Sequence, residues 1–228
     1  MKKVAECHFF HIFSLLLGGT QMSKCIIIGP MYTGEEREFL TPDKGDLLIC
    51  ADGGLEKALQ YGFNPDLVIG DFDSMPLPDS CLCPVMVLPV KKDETDTAAC
   101  IKEGRARGYR EFRIAGGMGG RFDHTIANLQ CIADCASRGE QGWLVDAQNR
   151  VTVLHPGTYI FPGLEKGKFS LFAFTERVKN IDLNGTEWEL KQAELVQNVP
   201  IGCSNWYKSE QITLKFTEGL LILVQSIE

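Results

Sequence analysis

The chain has 228 residues, enough for one large domain or two smaller ones, and its 44% hydrophobic content can fill a real core. A formal net charge of -7 argues against a broad nucleic-acid or anionic-membrane surface, so an anionic ligand must be met by local cations, backbone amides or a metal. Nine cysteines without a paired Cys-x-x-Cys spacing, beside only four histidines, speak against a structural zinc site and fit a reducing cytoplasm better than secretion.

Residues 1–21 differ in texture from the rest of the chain. Met1-Lys2-Lys3, an apolar run from Phe9 to Leu17 and Gly18-Gly19 have the outline of a short signal peptide. Glu6, His8 and His11 interrupt that outline, and the apolar run is too short to span a bilayer. Met22-Ser23-Lys24 then opens a clean strand. The expectation is an extension over 1–21, disordered or placed there by a start assigned too far upstream, with export as the rival reading.

Lys24 to Ile28 is a β-branched run ending in Gly29-Pro30 and predicts the first strand. Glu35 to Leu40 predicts a short helix, Asp46 to Cys50 a second strand, and Leu55 to Tyr61 a helix with Gly62 as its terminal cap. Asn64-Pro65-Asp66 turns into a strand at Leu67 to Ile69, and Val85 to Leu88 is the fourth. A helix over Thr95 to Gly108, a strand at Phe112 to Ala115, a helix over Thr125 to Ser137 and a strand at Trp143 to Val145 complete the alternation. Strands alternating with helices predict a mostly parallel, Rossmann-like sheet with flanking helices over 22–147. From about Gln148 the runs become short and are split by Gly, Pro and Asn: Val151 to Leu154, Thr158 to Phe161, Phe169 to Phe174, Val178 to Leu183, Gln211 to Phe216 and Leu220 to Val224. They predict a smaller all-β domain over 148–228, a sandwich or a jelly-roll-like barrel.

In parallel sheets ligands bind at the carboxyl ends of strands, and there this sequence places its acids. Ala51-Asp52-Gly53-Gly54 closes the second strand, and Ile69-Gly70-Asp71-Phe72-Asp73-Ser74 closes the third. If the third strand continues, Asp71 and Asp73 leave it on one side, because side chains alternate with period two. Lys91-Lys92-Asp93-Glu94-Thr95-Asp96 follows the fourth strand. Carboxylates from neighbouring strand ends beside lysines suit Mg²⁺ and a polyphosphate. Taken singly, Asp73-Ser74 also reads as a turn and Asp96 as a helix cap.

Gly116-Gly117-Met118-Gly119-Gly120-Arg121-Phe122-Asp123-His124 joins a strand to a helix, where free amides and the positive helix end can meet an anion. Arg121 could clamp phosphate, and Asp123 could bind metal, a ring nitrogen or a hydroxyl proton. His124 reads as a general base or as a histidine bonded at a helix start, and Asn128 could reach the same loop. No Gly-Lys-Ser/Thr follows, so this is not a Walker A loop, and no dinucleotide fingerprint sits at the first strand. In the β domain, Gly202-Cys203-Ser204-Asn205-Trp206 offers adaptable polar groups, while Trp188 or Trp206 offers a ring face for a flat cation.

These five stretches, in this order over about residues 24 to 228, resemble thiamine pyrophosphokinase. The resemblance implies an α/β domain followed by a β-sandwich, a homodimer with active sites at the subunit interface, and transfer of pyrophosphate from ATP to the hydroxyethyl group of thiamine with Mg²⁺. It implies that Asp71, Asp73 and Asp96 bind Mg²⁺, and that Asp52, Gly53, Gly54, Lys92, Thr95, Gly117, Gly119, Gly120 and Arg121 meet the nucleotide and its phosphates. Asp123 would lie near the reacting end. Ser204 and Asn205, with Trp188 or Trp206, would hold thiamine. Trp206 stands where the pattern leads one to expect a polar residue. The alternatives are a pyrophosphokinase for another hydroxymethyl heterocycle such as a pterin, a nucleotide-binding regulator without transfer activity, and a structural α/β domain whose aspartates are caps. No nucleic-acid or membrane partner is expected.

Overall fold

A computed structural model describes residues 23–72, 82–91, 93–164 and 167–227. The extension over 1–21, and Asp73, Ser74 and Lys92, lie outside the described residues. The chain divides into two compact units, Ser23–Ile132 with Gly142–Ala147, and Ala133–Gln141 with the residues from Gln148 onward. Among the described residues no helix is long and apolar enough to cross a membrane.

The first unit alternates strand and helix as its sequence dictates: β1 (Cys25–Ile28), α1 (Arg37–Leu40), β2 (Leu47–Ala51), α2 (Gly54–Gln60), β3 (Leu67–Gly70), β4 (Val85–Val87), α3 (Asp96–Ala106), β5 (Glu111–Ala115), α4 (Phe122–Ser137) and β6 (Gln141–Val145). Its strands run in the order β6-β5-β1-β2-β3-β4. The pairs β1–β5, β1–β2, β2–β3 and β3–β4 are all parallel. Every residue of β1, β2, β3 and β5 is buried, as expected of strands covered on both faces. Continuous runs such as Cys-Ile-Ile-Ile at β1 therefore form this sheet, because no face needs polar residues.

Two buried ion pairs hold the amino end of this unit. Lys24, 4% exposed, carries its ammonium 2.5 Å from Asp46 Oδ2 and 3.1 Å from Asp43 Oδ2. The Asp46 carboxylate also accepts the Lys24 amide at 2.8 Å and the Asp43 amide at 2.7 Å. One side chain thus fixes the loop that feeds β2 to the start of β1. Arg113 on β5 pairs with Glu111 at 2.7 Å and donates to the Phe39 carbonyl at 2.9 Å, which ties α1 to the sheet.

The second unit contains β7 (Asn149–Leu154), β8 (Gly157–Pro162), β9 (Lys168–Ala173), β10 (Arg177–Asn184), β11 (Leu190–Val196), β12 (Asn205–Trp206), β13 (Gln211–Phe216) and β14 (Leu221–Ser226). Its strands pair antiparallel, in the orders β12-β9-β14-β7 and β11-β10-β13-β8. Alternation selects the inner faces: Ile212, Leu214 and Phe216 of β13 and Phe169, Leu171 and Ala173 of β9 are all buried. The Phe161 ring of β8 meets the Phe169 ring of β9 edge-on at 5.8 Å, so the two sheets share one apolar interior.

Three elements differ from expectation, one of them the two-residue β12, which no predicted run covers. Helix α4 begins at Phe122, three residues before the predicted Thr125, so Asp123 and His124 belong to its first turn. Strand β11 is absent from the predicted elements, since Leu-Lys-Gln-Ala-Glu-Leu-Val favours a helix. Pairing with β10 overrides that preference, and only Leu195 of β11 is buried.

Candidate active site

Because β1, β2, β3 and β5 are parallel, their carboxyl ends share one rim, and those of the predicted site residues of this unit that are described lie on segments that follow strand ends. Asp52 follows β2 with a φ of +45°, and its amide donates to the Ile69 carbonyl at 2.8 Å. A methyl at Gly70 would stand 3.1 Å from Asp52 Oδ1, so the end of β3 lacks a side chain where the Asp52 carboxylate crosses it. Gly53 is the cap residue and Gly54 the first residue of α2.

Asp71 leaves β3 half-buried, and the next residue, Phe72, has a φ of +54°. This corrects the alternation argument: β3 ends at Gly70, and the left-handed turn at Phe72 breaks the period-two rule before Asp73. Asp73 and Lys92 lie outside the described residues. Thr95 caps α3, its hydroxyl accepting the Ala98 amide at 3.2 Å. The capping reading therefore belongs to Thr95, and Asp96 is the first helical residue, half-buried.

Non-glycine residues with positive φ cost energy and need a reason. Among the described residues these are Asp52, Phe72, Asn180, Gln192 and Ser204. Asn180 and Gln192 lie where β10 and β11 shift register, so sheet irregularity accounts for them. Asp52, Phe72 and Ser204 have no such cause, and all three lie in the stretches picked out from sequence.

After β5 the chain turns at Gly116, φ +68°, where a side chain would collide with the Tyr32 amide and the Gly29 carbonyl. Gly117 offers its carbonyl to Asn128 Nδ2 at 2.7 Å, as the spacing suggested, and Gly119 and Gly120 are exposed with positive φ. Arg121 and Asp123 face each other, with Nε to Oδ1 at 3.2 Å and Nη2 to Oδ2 at 2.5 Å. The His124 amide adds a bond to Asp123 Oδ1 at 3.0 Å, and His124 is exposed. The Arg121 guanidinium, helped by that amide, holds the Asp123 carboxyl below its ordinary range. A carboxylate so depressed is a poor proton acceptor and a good orienting acceptor. Arg121→Met should return the Asp123 pKa toward the ordinary value, read by carboxyl-carbon NMR titration. Any stability from the pair exists above the unfolded-state pKa and is lost as pH falls through the lowered folded value. An unchanged titration would show that Arg121 does not set it.

Asp71 and Asp96 offer the oxygen donors that a hard divalent cation such as Mg²⁺ takes. Among the described residues no group of three His, Cys, Asp or Glu forms a metal-ligating cluster, and the expected third ligand, Asp73, is outside that set.

The second unit presents a different chemistry. Ser204 is exposed, has a φ of +60°, and its amide donates to Ser170 Oγ at 2.9 Å. Trp188 and Trp206 are 58% and 48% exposed. The Lys168 ammonium lies 2.9 Å from the centroid of the Trp206 ring, a cross-strand cation–π pair that sequence separation concealed. Asn205, expected to hold a ligand, is 9% exposed and fully engaged. Its Oδ1 accepts the Trp188 and Trp206 amides at 3.0 and 2.9 Å, and its Nδ2 donates to Thr186 Oγ1 and the Trp188 carbonyl at 3.0 and 2.8 Å. Thr186, which the sequence did not single out, is fully buried beneath it.

A cavity of about 360 Å³ lies elsewhere in the first unit, lined by Leu55, Leu59, Pro65, Asp66, Cys83 and Pro84 among others. It sits at the amino ends of β3 and β4, and none of the predicted site residues lines it. Strand polarity makes the opposite rim the better candidate.

Comparison with known proteins identifies the family. Residues 41–143 match the thiamin pyrophosphokinase catalytic domain, and residues 159–221 match the thiamin pyrophosphokinase vitamin B1 binding domain. Thiamine pyrophosphokinase of Bacillus subtilis is 26% identical over 192 residues, covering 82% of this chain and 90% of the relative. A crystal structure of the Bacillus subtilis protein superposes with a TM-score of 0.81 at 24% identity, covering 91% of this chain and 100% of that one. The thiamin pyrophosphokinase of Geobacillus thermodenitrificans superposes with a TM-score of 0.79 at 26% identity, covering 91% and 98%. With both domains matched in order along one chain, the protein belongs to the thiamin pyrophosphokinase family and is an enzyme of thiamine diphosphate synthesis.

Proposed function

We propose that this chain transfers the β,γ-pyrophosphate of ATP to the hydroxyethyl oxygen of thiamine, with Mg²⁺ as cofactor, giving thiamine diphosphate and AMP. The observation that carries the reading is the gathering of Asp52, Asp71, Asp96 and the Gly116–Gly120 turn on segments leaving one rim of parallel strands. In the reaction the thiamine oxygen forms a bond to Pβ while the bond from Pβ to the α,β-bridging oxygen breaks. That oxygen and its electron pair leave with AMP, and the hydroxyl proton passes to solvent. Such a transfer asks for position and charge neutralisation more than covalent chemistry.

Asp71, Asp73 and Asp96 are the proposed Mg²⁺ ligands. The ion, when bound, supplies positive charge to the phosphate oxygens. Asp52, Gly53, Gly54, Gly117, Gly119 and Gly120 line the nucleotide. Thr95 accepts the Ala98 amide at the helix cap, which fixes the entry of Asp96, and its O–H remains to donate to a phosphate oxygen. Lys92 and Arg121 offset charge growing on the AMP side, which requires Arg121 to exchange Asp123 for phosphate. Asp123 then accepts a hydrogen bond from the thiamine hydroxyl and orients it.

Ser204 is proposed to bind the polar edge of thiamine, and Trp188 to stack on it. Trp206 is the weaker plate because the Lys168 ammonium covers one face, where a thiazolium would meet like charge. The working assembly is proposed to be a homodimer with active sites at the subunit interface, in the cytoplasm, on the family resemblance and cysteine usage. The test is incubation with Mg·ATP and either thiamine or a hydroxymethylpterin. Thiamine diphosphate forming from thiamine alone is the expected result, and transfer to the pterin instead would overturn the substrate assignment.

A further inference from the structure

We infer that Asn205 is a positioning residue that sets the orientation of Trp188, and does not itself contact substrate. The inference rests on the reading of Trp188 as the plate for thiamine. An amide side chain has two acceptor lone pairs and two N–H donors. Asn205 places all four within the chain: its oxygen takes the amides of Trp188 and Trp206, and its nitrogen reaches the Trp188 carbonyl and Thr186 Oγ1. Nothing remains for a ligand. Three of these partners belong to the connection between β10 and β11, so one side chain on β12 fastens the turn that carries Trp188.

The fastening is reinforced. Thr186 Oγ1 donates onward to the Trp188 carbonyl at 3.1 Å, and the Glu187 amide donates to the Trp206 carbonyl at 3.0 Å. Thr186 also bridges to Tyr207, and the Gly185 carbonyl accepts the amides of Lys208 and Ser209 at 3.0 and 3.1 Å. Both Trp188 main-chain groups are held, while the residue is 58% exposed. A large aromatic surface on an immobilised backbone is what a stacking site needs, because the ordering entropy is lost in folding and not again on binding. Ser204, the preceding residue, is exposed, which separates ligand contact at Ser204 from support at Asn205.

Thr186 makes the inference testable, since a residue with no exposed surface cannot touch thiamine. Thr186→Val keeps the shape, removes both hydroxyl bonds and should raise the thiamine KM about threefold, and Asn205→Ala about tenfold, the scale of one or two lost buried hydrogen bonds. In both, kcat and the ATP KM should hold within about twofold, the pattern of a lost binding contact. In a Trp206→Phe background, where the buried Trp143 is shielded from quencher, both variants should also raise the acrylamide-quenchable part of the fluorescence, which is that of Trp188. Added to Trp188→Ala, neither should raise the thiamine KM further, because residues acting through one side chain are not additive. If Asn205→Ala does not fold, Thr186→Val alone carries the test. An unchanged KM and unchanged quenching in Thr186→Val would overturn the inference, as would a further tenfold KM rise from Asn205→Ala on top of Trp188→Ala. A Trp188→Ala variant with normal thiamine KM would instead remove the plate reading, and the inference with it.

Discussion

Asp71→Asn lowers kcat several hundred-fold or more while the protein stays folded. The substitution keeps the side chain's shape and removes one negative charge at the end of β3. Asn is a poor ligand for a hard divalent cation, so the phosphate charge is less well neutralised as Pβ is attacked. The cost should approach that of losing one preorganised electrostatic group in a transition state, roughly 3–4 kcal/mol. With Asp71 proposed to hold the metal and not the vitamin, thiamine KM should change little, and the Mg²⁺ concentration giving half-maximal rate should rise. Asp71 follows the strand and is half-buried, so the melting temperature should stay within about 2 °C, a change of no more than about 1 kcal/mol. A folded Asp71→Asn enzyme with near-normal turnover would refute the metal assignment.

The second large effect is on stability. Asp46→Ala strips the buried Lys24 ammonium of its nearer carboxylate and leaves the Lys24 and Asp43 amides without an acceptor. Removing one partner of a buried ion pair costs about 3–5 kcal/mol; Asp43 Oδ2 still faces the Lys24 ammonium at 3.1 Å, which puts the loss at the lower end of that range. For a chain of this length that is a fall in melting temperature on the order of 10 °C. Lys24→Met added to Asp46→Ala should recover part of the loss, because an apolar side chain replaces the stranded charge. A drop below about 2 °C in Asp46→Ala, read by calorimetry, would show that the pair contributes no more than a surface ion pair.

The parallel strands are legible in the sequence because burial on both faces leaves an unbroken apolar run, and Cys25–Ile28 and Leu67–Ile69 carry nothing else. The rim follows from strand direction alone, which is why Asp52, Asp71, Asp96 and the glycine turn group together before any coordinates. What escapes is set by contacts distant in sequence or by single backbone angles. Phe72 turns left-handed, so the strand rule runs too far. Helix α4 starts at an exposed Phe122 one residue beyond the glycines, where no apolar spacing announces it. Strand β11 is built of helix formers and exists because β10 pairs with it. Asn205 has the residue type of a ligand group, and its hydrogen bonds to Thr186 and Trp188 in the β10–β11 connection could not be read from sequence. The Lys168–Trp206 pair likewise needs the register of β9 and β12.

The most direct test of the account is to quantify nucleotide products from purified protein with Mg·ATP, with and without thiamine. Attack at Pβ predicts one AMP released for each thiamine diphosphate formed, and almost none without thiamine. ADP as the thiamine-dependent product, or AMP release indifferent to thiamine, would contradict it.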